Sequence, residues 1–154
     1  MKKWHWFVLS LIVVLMDQAS KYFISIRLVP YQPVPVMPMI NLTLAYNSGA
    51  AFSFLSQAGQ WHHWFFIIFS LIMSTALIIW IIRLDPTARL QLLALSLILG
   101  GAIGNLIDRA FFGSVIDFID VYYQYHHWPV FNLADSAICV GAFLMLIELI
   151  RKPR

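Results

Sequence analysis

The chain has 154 residues, of which 61% are hydrophobic and 11% charged, with a formal net charge of +3 and a mean hydropathy of +0.79. Soluble globular domains average about 25% charged residues, so that class is excluded, and one membrane-embedded domain over residues 1–154 is expected. The single cysteine, Cys139, has no partner for an internal disulfide and lies in an apolar run, where it reads as a small core hydrophobe.

In chain order, Trp4 to Met16 is uncharged and continues through DQASKYFISIR, which carries Asp17, Lys21 and Arg27. With Lys2 and Lys3 in front, this opening could pass for a secretory signal peptide. No small-x-small cleavage site follows cleanly and three more apolar stretches come later, so residues 4–27 are expected to span the membrane. PYQPVPVMPM, residues 30–39, carries four prolines, which exclude helix and predict an extended path. INLTLAYN, residues 40–47, alternates like a half-buried strand. Ile40, Leu42, Leu44 and Tyr46 fall on one face, and Asn41, Thr43, Ala45 and Asn47 on the other. NSGAAFSF follows, with Gly49 free to take backbone shapes closed to other residues. Residues 30–58 together predict a small sheet on the membrane surface.

The next spans are expected over residues 61–83 and 89–111, because Trp61 to Ile82 and Leu90 to Ile107 carry no formal charge. Residues 112–130, rich in Tyr, His and Trp, predict an interfacial outer loop. A fourth span, residues 131–151, is apolar except for Asp135 and Glu148 near its ends. The expected fold class is an all-α integral membrane protein. It has four transmembrane helices, a small extracytoplasmic β-sheet and an interfacial segment.

Lys2, Lys3, Arg83, Arg89, Arg151, Lys152 and Arg154 all fall on one side if the helices alternate, while residues 28–60 and 112–130 contain no Lys or Arg. The positive-inside rule then puts both termini in the cytoplasm. Asp17 lies roughly 20 Å beyond Trp4, in the outer part of the bilayer. Asp108, Asp117, Asp120 and Asp135 also belong to the outer side. Five of the seven acidic residues therefore gather at one face. Nucleic acid is not expected as a partner.

Within GGAIGNLIDR, Gly100 and Gly104 have small-xxx-small spacing, which is ordinary close helix packing. Asn105, Asp108 and Arg109 share a helix face. They form either an Asp–Arg pair closing the helix or a polar wall aimed at a site. In FNLAD, Asn132 is placed to cap a helix, with Asp135 three residues on, as in a capping box. Asp17 and Lys21, four apart, either line the bundle or tie the first span to the sheet. Asp117 alone could be a solvated loop acid, but the intervening loop can fold back and bring it to Asp135. Two neighbouring carboxylates resist ionising together, so one keeps a proton near neutral pH. The ionised one can then draw a proton from water while the other donates to a carbonyl oxygen, which is peptide hydrolysis without a covalent intermediate. Ser48 has no histidine within residues 30–58 to activate it. His62–His63 and His126–His127 lack zinc-site spacing and read as interface decoration.

Five motifs in order resemble the lipoprotein signal peptidase family, also called signal peptidase II: DQ-x-SK at Asp17 to Lys21, N-x-G-x-AF at Asn47 to Phe52, GN-x-x-DR at Gly104 to Arg109, VIDF at Val115 to Phe118, and FN-x-AD at Phe131 to Asp135. None of these positions departs from the pattern. The resemblance implies an aspartyl endopeptidase of the bacterial cytoplasmic membrane. Its substrates are prolipoproteins carrying diacylglycerol on a cysteine, cut just before that cysteine near the outer face. It implies Asp117 and Asp135 as the catalytic pair. Asn47, Asn105, Arg109 and Asn132 would bind substrate or steady the pair. Asp17 would support the site, with Lys21, Gly49, Asp108 and Ala134 of the same motifs. It also implies contact with membrane lipid, inhibition by the cyclic peptide globomycin, and no metal or other cofactor. The competing expectations are a small proton-coupled transporter, with the acids as a relay, and a structural assembly factor. Against the transporter, no comparable acids line the inner half.

Overall fold

A computed structural model describes residues 4–49 and 61–151. The sheet expected over 50–58, the end of the motif at 47–52, and the charges of Lys2, Lys3, Lys152 and Arg154 lie outside the described residues. The helices are α1 (Trp4–Ser25), α2 (Trp61–Arg83), α3 (Arg89–Phe112) and α4 (Leu133–Arg151). All four are long and apolar enough to cross a membrane. The strands are β1 (Val34–Met37), β2 (Ile40–Asn47), β3 (Val115–Tyr123) and β4 (His126–His127). They form one antiparallel sheet in the order β1-β2-β3-β4.

Helix α3 is central and packs against the other three. Glycines let the backbones close. A Cβ on Gly100 would lie 2.6 Å from Val13 Cβ of α1, and one on Gly141 would lie 2.6 Å from the Ala94 carbonyl oxygen. Leu77 and Ile81 of α2 join Leu92, Leu95 and Leu99 of α3 in one apolar core, away from the sheet. At the other end, Ile24 of α1 packs with Leu44 of β2 and with Ile116 and Phe118 of β3. This second core seats the sheet on the helix ends.

Three expectations need correction. Residues 112–130 are not simply an interfacial loop, because β3 and β4 occupy much of the stretch. The first half of β3 is buried almost throughout, so its sequence lacks the alternation that marks a half-exposed strand. The aromatic residues do come to the surface beyond it, where Tyr125 and Trp128 are exposed. In β2 the clean alternation fails. The register slips between Leu42 and Ala45, so Asn41 and Leu44 are buried and Tyr46 is exposed. Cys139 is exposed on α4 rather than in the core. In a membrane bundle the lipid-facing side is as apolar as the inside, so an apolar context cannot tell the two apart.

Candidate active site

The chain leaves α3 through Gly113, whose φ of +75° is a left-handed conformation that glycine takes without strain. Its N–H caps the Arg109 carbonyl at 3.1 Å. β3 starts two residues later, and the Ile116 N–H donates to Asp108 Oδ2 at 3.0 Å, which pins the strand to the end of α3. Asp117 follows, opposite Ala45 of β2. After the β3–β4 hairpin the chain returns: Ile119 N donates to the Phe131 carbonyl at 2.8 Å, and Phe131 N to the Ile119 carbonyl at 3.1 Å. That pairing sets Asn132, and with it the start of α4, beside Asp117.

Asn132 and Asp135 make the expected reciprocal cap. Asp135 N donates to Asn132 Oδ1 at 2.9 Å, and Asn132 N donates to Asp135 Oδ2 at 3.3 Å. The capping residue also reaches across, its Nδ2 donating to Asp117 Oδ1 at 2.7 Å. Asp117 Oδ2 accepts from Asn47 Nδ2 at 3.1 Å, and Asp135 Oδ1 from Asn105 Nδ2 at 2.8 Å. Asp117 is 2% exposed. Burial, then the negative charge of Asp135, push its carboxyl up to about 7, against the opposing pull of the Asn47 and Asn132 hydrogen bonds and the Lys21 charge. A group poised there exchanges its proton near neutral pH, as acid–base chemistry requires.

Behind the two carboxylates lies a buried ionic cluster. Lys21 Nζ stands 2.8 Å from Asp17 Oδ2, 2.8 Å from Asp108 Oδ2 and 3.0 Å from Asn105 Oδ1. The three charged residues are at most 1% exposed. Asp17 Oδ1 accepts the Ala134 N–H at 2.9 Å, satisfying an otherwise unpaired amide in the first turn of α4. Asp17 and Lys21 therefore join α1 to α3 and to α4, not to the sheet. Gly104 makes room for this, since a Cβ there would sit 2.6 Å from Asp17 Oδ2.

Asp108 and Arg109 do not pair as a helix closure. Asp108 turns to Lys21, while the Arg109 guanidinium lies over the Phe66 ring of α2 at 5.3 Å from its centroid. Arg109 also donates to the Asn105 carbonyl at 3.4 Å and to the Gly49 carbonyl at 3.5 Å, and lies within electrostatic reach of Asp135, Asp117 and Asp108. Gly49 N in turn donates to Asn47 Oδ1 at 3.1 Å. Ser48 is exposed. Asp120 belongs to a separate group: Asn41, Thr43 and His127 approach it at 3.2, 3.0 and 2.7 Å. Burial pushes the Asp120 carboxyl up, but hydrogen bonds from His127, Asn41 and Thr43 outweigh it and hold the group below its usual range. His127 is thus a structural partner, not interface decoration. Two contributors escaped the sequence reading. Gln18 Nε2 donates to Asp108 Oδ1 at 2.8 Å and to the Gly104 carbonyl at 3.1 Å. It sits inside the DQ-x-SK motif, and that position was its only signal. Phe66 had none, being one apolar residue in an apolar helix.

Comparison with known proteins agrees with the resemblance. The family model described as signal peptidase (SPase) II matches residues 9–151. The chain is 50% identical to a lipoprotein signal peptidase of Acinetobacter baylyi over 143 residues, 93% of this chain and 80% of that one. It is 46% identical to one of Hydrogenovibrio crunogenus over 147 residues, 95% of this chain and 86% of that one. A bacterial membrane enzyme solved by the in meso method superposes with a TM-score of 0.85 at 32% identity, covering 97% of this chain and 93% of that one. With its four membrane-spanning helices, this multi-pass membrane protein belongs to the signal peptidase II family of aspartic peptidases.

Proposed function

We propose that Asp117 and Asp135 together activate the water with which this peptidase removes signal peptides from prolipoproteins. The observation that carries the assignment is Asn132, whose side chain bonds Asp117 while it caps the turn that holds Asp135. Asp117, whose carboxyl is pushed up to about 7, supplies the acid's proton, and Asp135 serves as the base. Asp135 takes a proton from water as the water oxygen attacks the scissile carbonyl carbon. Asp117 gives its proton to the carbonyl oxygen. Asp135 then passes its proton to the amide nitrogen, the C–N bond breaks, and Asp117 recovers a proton from the collapsing diol. The products are a free carboxylate on the signal peptide and a free amine on the cysteine.

The supporting roles follow from the contacts. Asn47, Asn105 and Asn132 steady the carboxylates. Arg109, held by Phe66 and Gly49, offers a planar fork to a backbone carbonyl of the substrate. Asp17, Lys21, Asp108 and Ala134 hold the ends of three helices together. The basic residues at one end of the bundle support cytoplasmic termini in a bacterial cytoplasmic membrane and a site at the outer face. There the diacylglyceryl group on the substrate cysteine stays among lipid tails while the cleavage point reaches the carboxylates. Globomycin competes for the same place. The test is cleavage of a diacylglyceryl-modified prolipoprotein by the purified chain in detergent, with the products weighed by mass spectrometry. A mature fragment beginning at the lipidated cysteine, blocked by globomycin and absent with Asp135→Asn, supports the assignment. Cleavage at another bond, or full turnover by Asp135→Asn, contradicts it.

A further inference from the structure

The buried lysine does more than balance charge. An ammonium has three donors and no acceptor. All three donors of Lys21 are committed: to Asp17, to Asp108 and to Asn105 Oδ1. The atom of Asn105 that faces Lys21 must therefore be its oxygen. Asn132 Nδ2 donates to that same oxygen at 3.1 Å. With its oxygen so occupied, Asn105 has only its Nδ2 to present to Asp135. Asn132 is oriented in the same sense, because its Oδ1 takes the Asp135 amide and its Nδ2 is left for Asp117. Rotating the Asn105 amide by half a turn would set NH2 against an ammonium and against the Asn132 NH2, and a carbonyl against a carboxylate.

We infer that Lys21 is a positioning residue for the reaction: by holding Asn105 Oδ1 it fixes the direction of the Asn105 amide, which gives Asp135 a donor and accepts from the Asn132 amide that serves Asp117. This rests on Asp117 and Asp135 being the catalytic pair. Lys21 touches neither carboxylate nor substrate and acts through Asn105 and Asn132. It is also a buried positive charge close to the pair, alongside Arg109 and the negative Asp17 and Asp108.

The test is the pH profile of kcat and KM for Lys21→Gln beside the native enzyme, with the folded fraction measured by thermal unfolding. A positioning role predicts kcat lower by roughly 10- to 100-fold per folded molecule. KM should stay within about two-fold, since substrate binding is not the affected step. The profile should move to higher pH by about one unit, because a positive charge that favours the ionised carboxylates has gone. A purely structural lysine predicts an unshifted profile and a kcat reduced only in proportion to the unfolded fraction, and that result overturns the inference. If Lys21→Gln does not accumulate, the double variant Lys21→Met with Asp108→Asn removes both members of an ion pair and leaves the net charge of the cluster unchanged. Folded but slow enzyme then supports the positioning role, and native kcat overturns it. Failure of the underlying assignment looks different: Asp117→Asn and Asp135→Asn would themselves remain active.

Discussion

At the scale of single residues, the proposed chemistry depends on two carboxylates that cannot both be ionised at low cost. The Asp117 carboxyl, buried and beside Asp135, is pushed up to about 7. Cleavage should therefore fall as pH rises above about 7 and the shared proton is lost, which a kcat profile in detergent will show. The same shift acts on stability, and its sign is opposite to that of a salt-bridged aspartate. Between its ordinary value near 4 and about 7, folded Asp117 keeps a proton that the unfolded chain has released. Stability from this group is therefore present at low pH and lost as pH rises through that window. Asp117→Asn should gain thermal stability relative to the native protein between pH 4 and pH 8. A Tm difference that does not change with pH would contradict the shift. Arg109→Lys should fold normally and lose most of its cleavage activity, since a lysine cannot reproduce the forked donor geometry or the stacking on Phe66. Native activity at native membrane levels would make Arg109 only an interface charge. These residues stood out in the sequence because a charge in a greasy chain is conspicuous. Which partner each one takes was not legible. Asp108 bonds Lys21, 87 positions away along the chain, whereas the shared helix face of Asn105, Asp108 and Arg109 leaves open both a pair with Arg109 and a polar wall.

At the scale of elements, the site depends on how closely α1, α3 and α4 approach. Gly104→Ala should drive a methyl group into Asp17 and push α1 off α3. A loss of about 1–3 kcal/mol, typical of overpacking, is expected in thermal unfolding, together with a fall in cleavage. Unchanged stability would mean that the helices can slide apart freely. The sheet has its own polar anchor. Asp120→Ala strands the Asn41 and Thr43 side chains and releases His127, and should cost about 1–3 kcal/mol while leaving most of the turnover of the folded enzyme. The four helices were legible because an apolar stretch long enough to cross a bilayer has few alternatives. β1 and β2 were legible from prolines and alternation. β3 was not: its inner half is covered on both faces, and its two aspartates broke up the apolar run that would have marked a buried strand.

At the scale of the whole molecule, the placement of charge decides which side of the membrane the sheet faces. In a Cys139→Ser background, a cysteine at Tyr125, which is 95% exposed at the tip of the β3–β4 hairpin, should react with an impermeant thiol reagent from outside intact cells. One at Thr87, in the turn between α2 and α3, should not. Reversed labelling would place the site on the cytoplasmic side, where the proposed route for a lipidated substrate fails. The most direct test of the catalytic assignment is a comparison of four purified variants on one diacylglyceryl-modified prolipoprotein. Asp117→Asn and Asp135→Asn should each abolish turnover, because an amide cannot serve as the base or return a proton. The double variant should be scarcely worse than either single, as for two groups acting as one unit. Asp120→Asn should retain most of the activity of the folded enzyme. Substantial turnover by Asp117→Asn, or loss with Asp120→Asn but not with Asp117→Asn, would show that the wrong acid of VIDFID has been placed at the reacting bond.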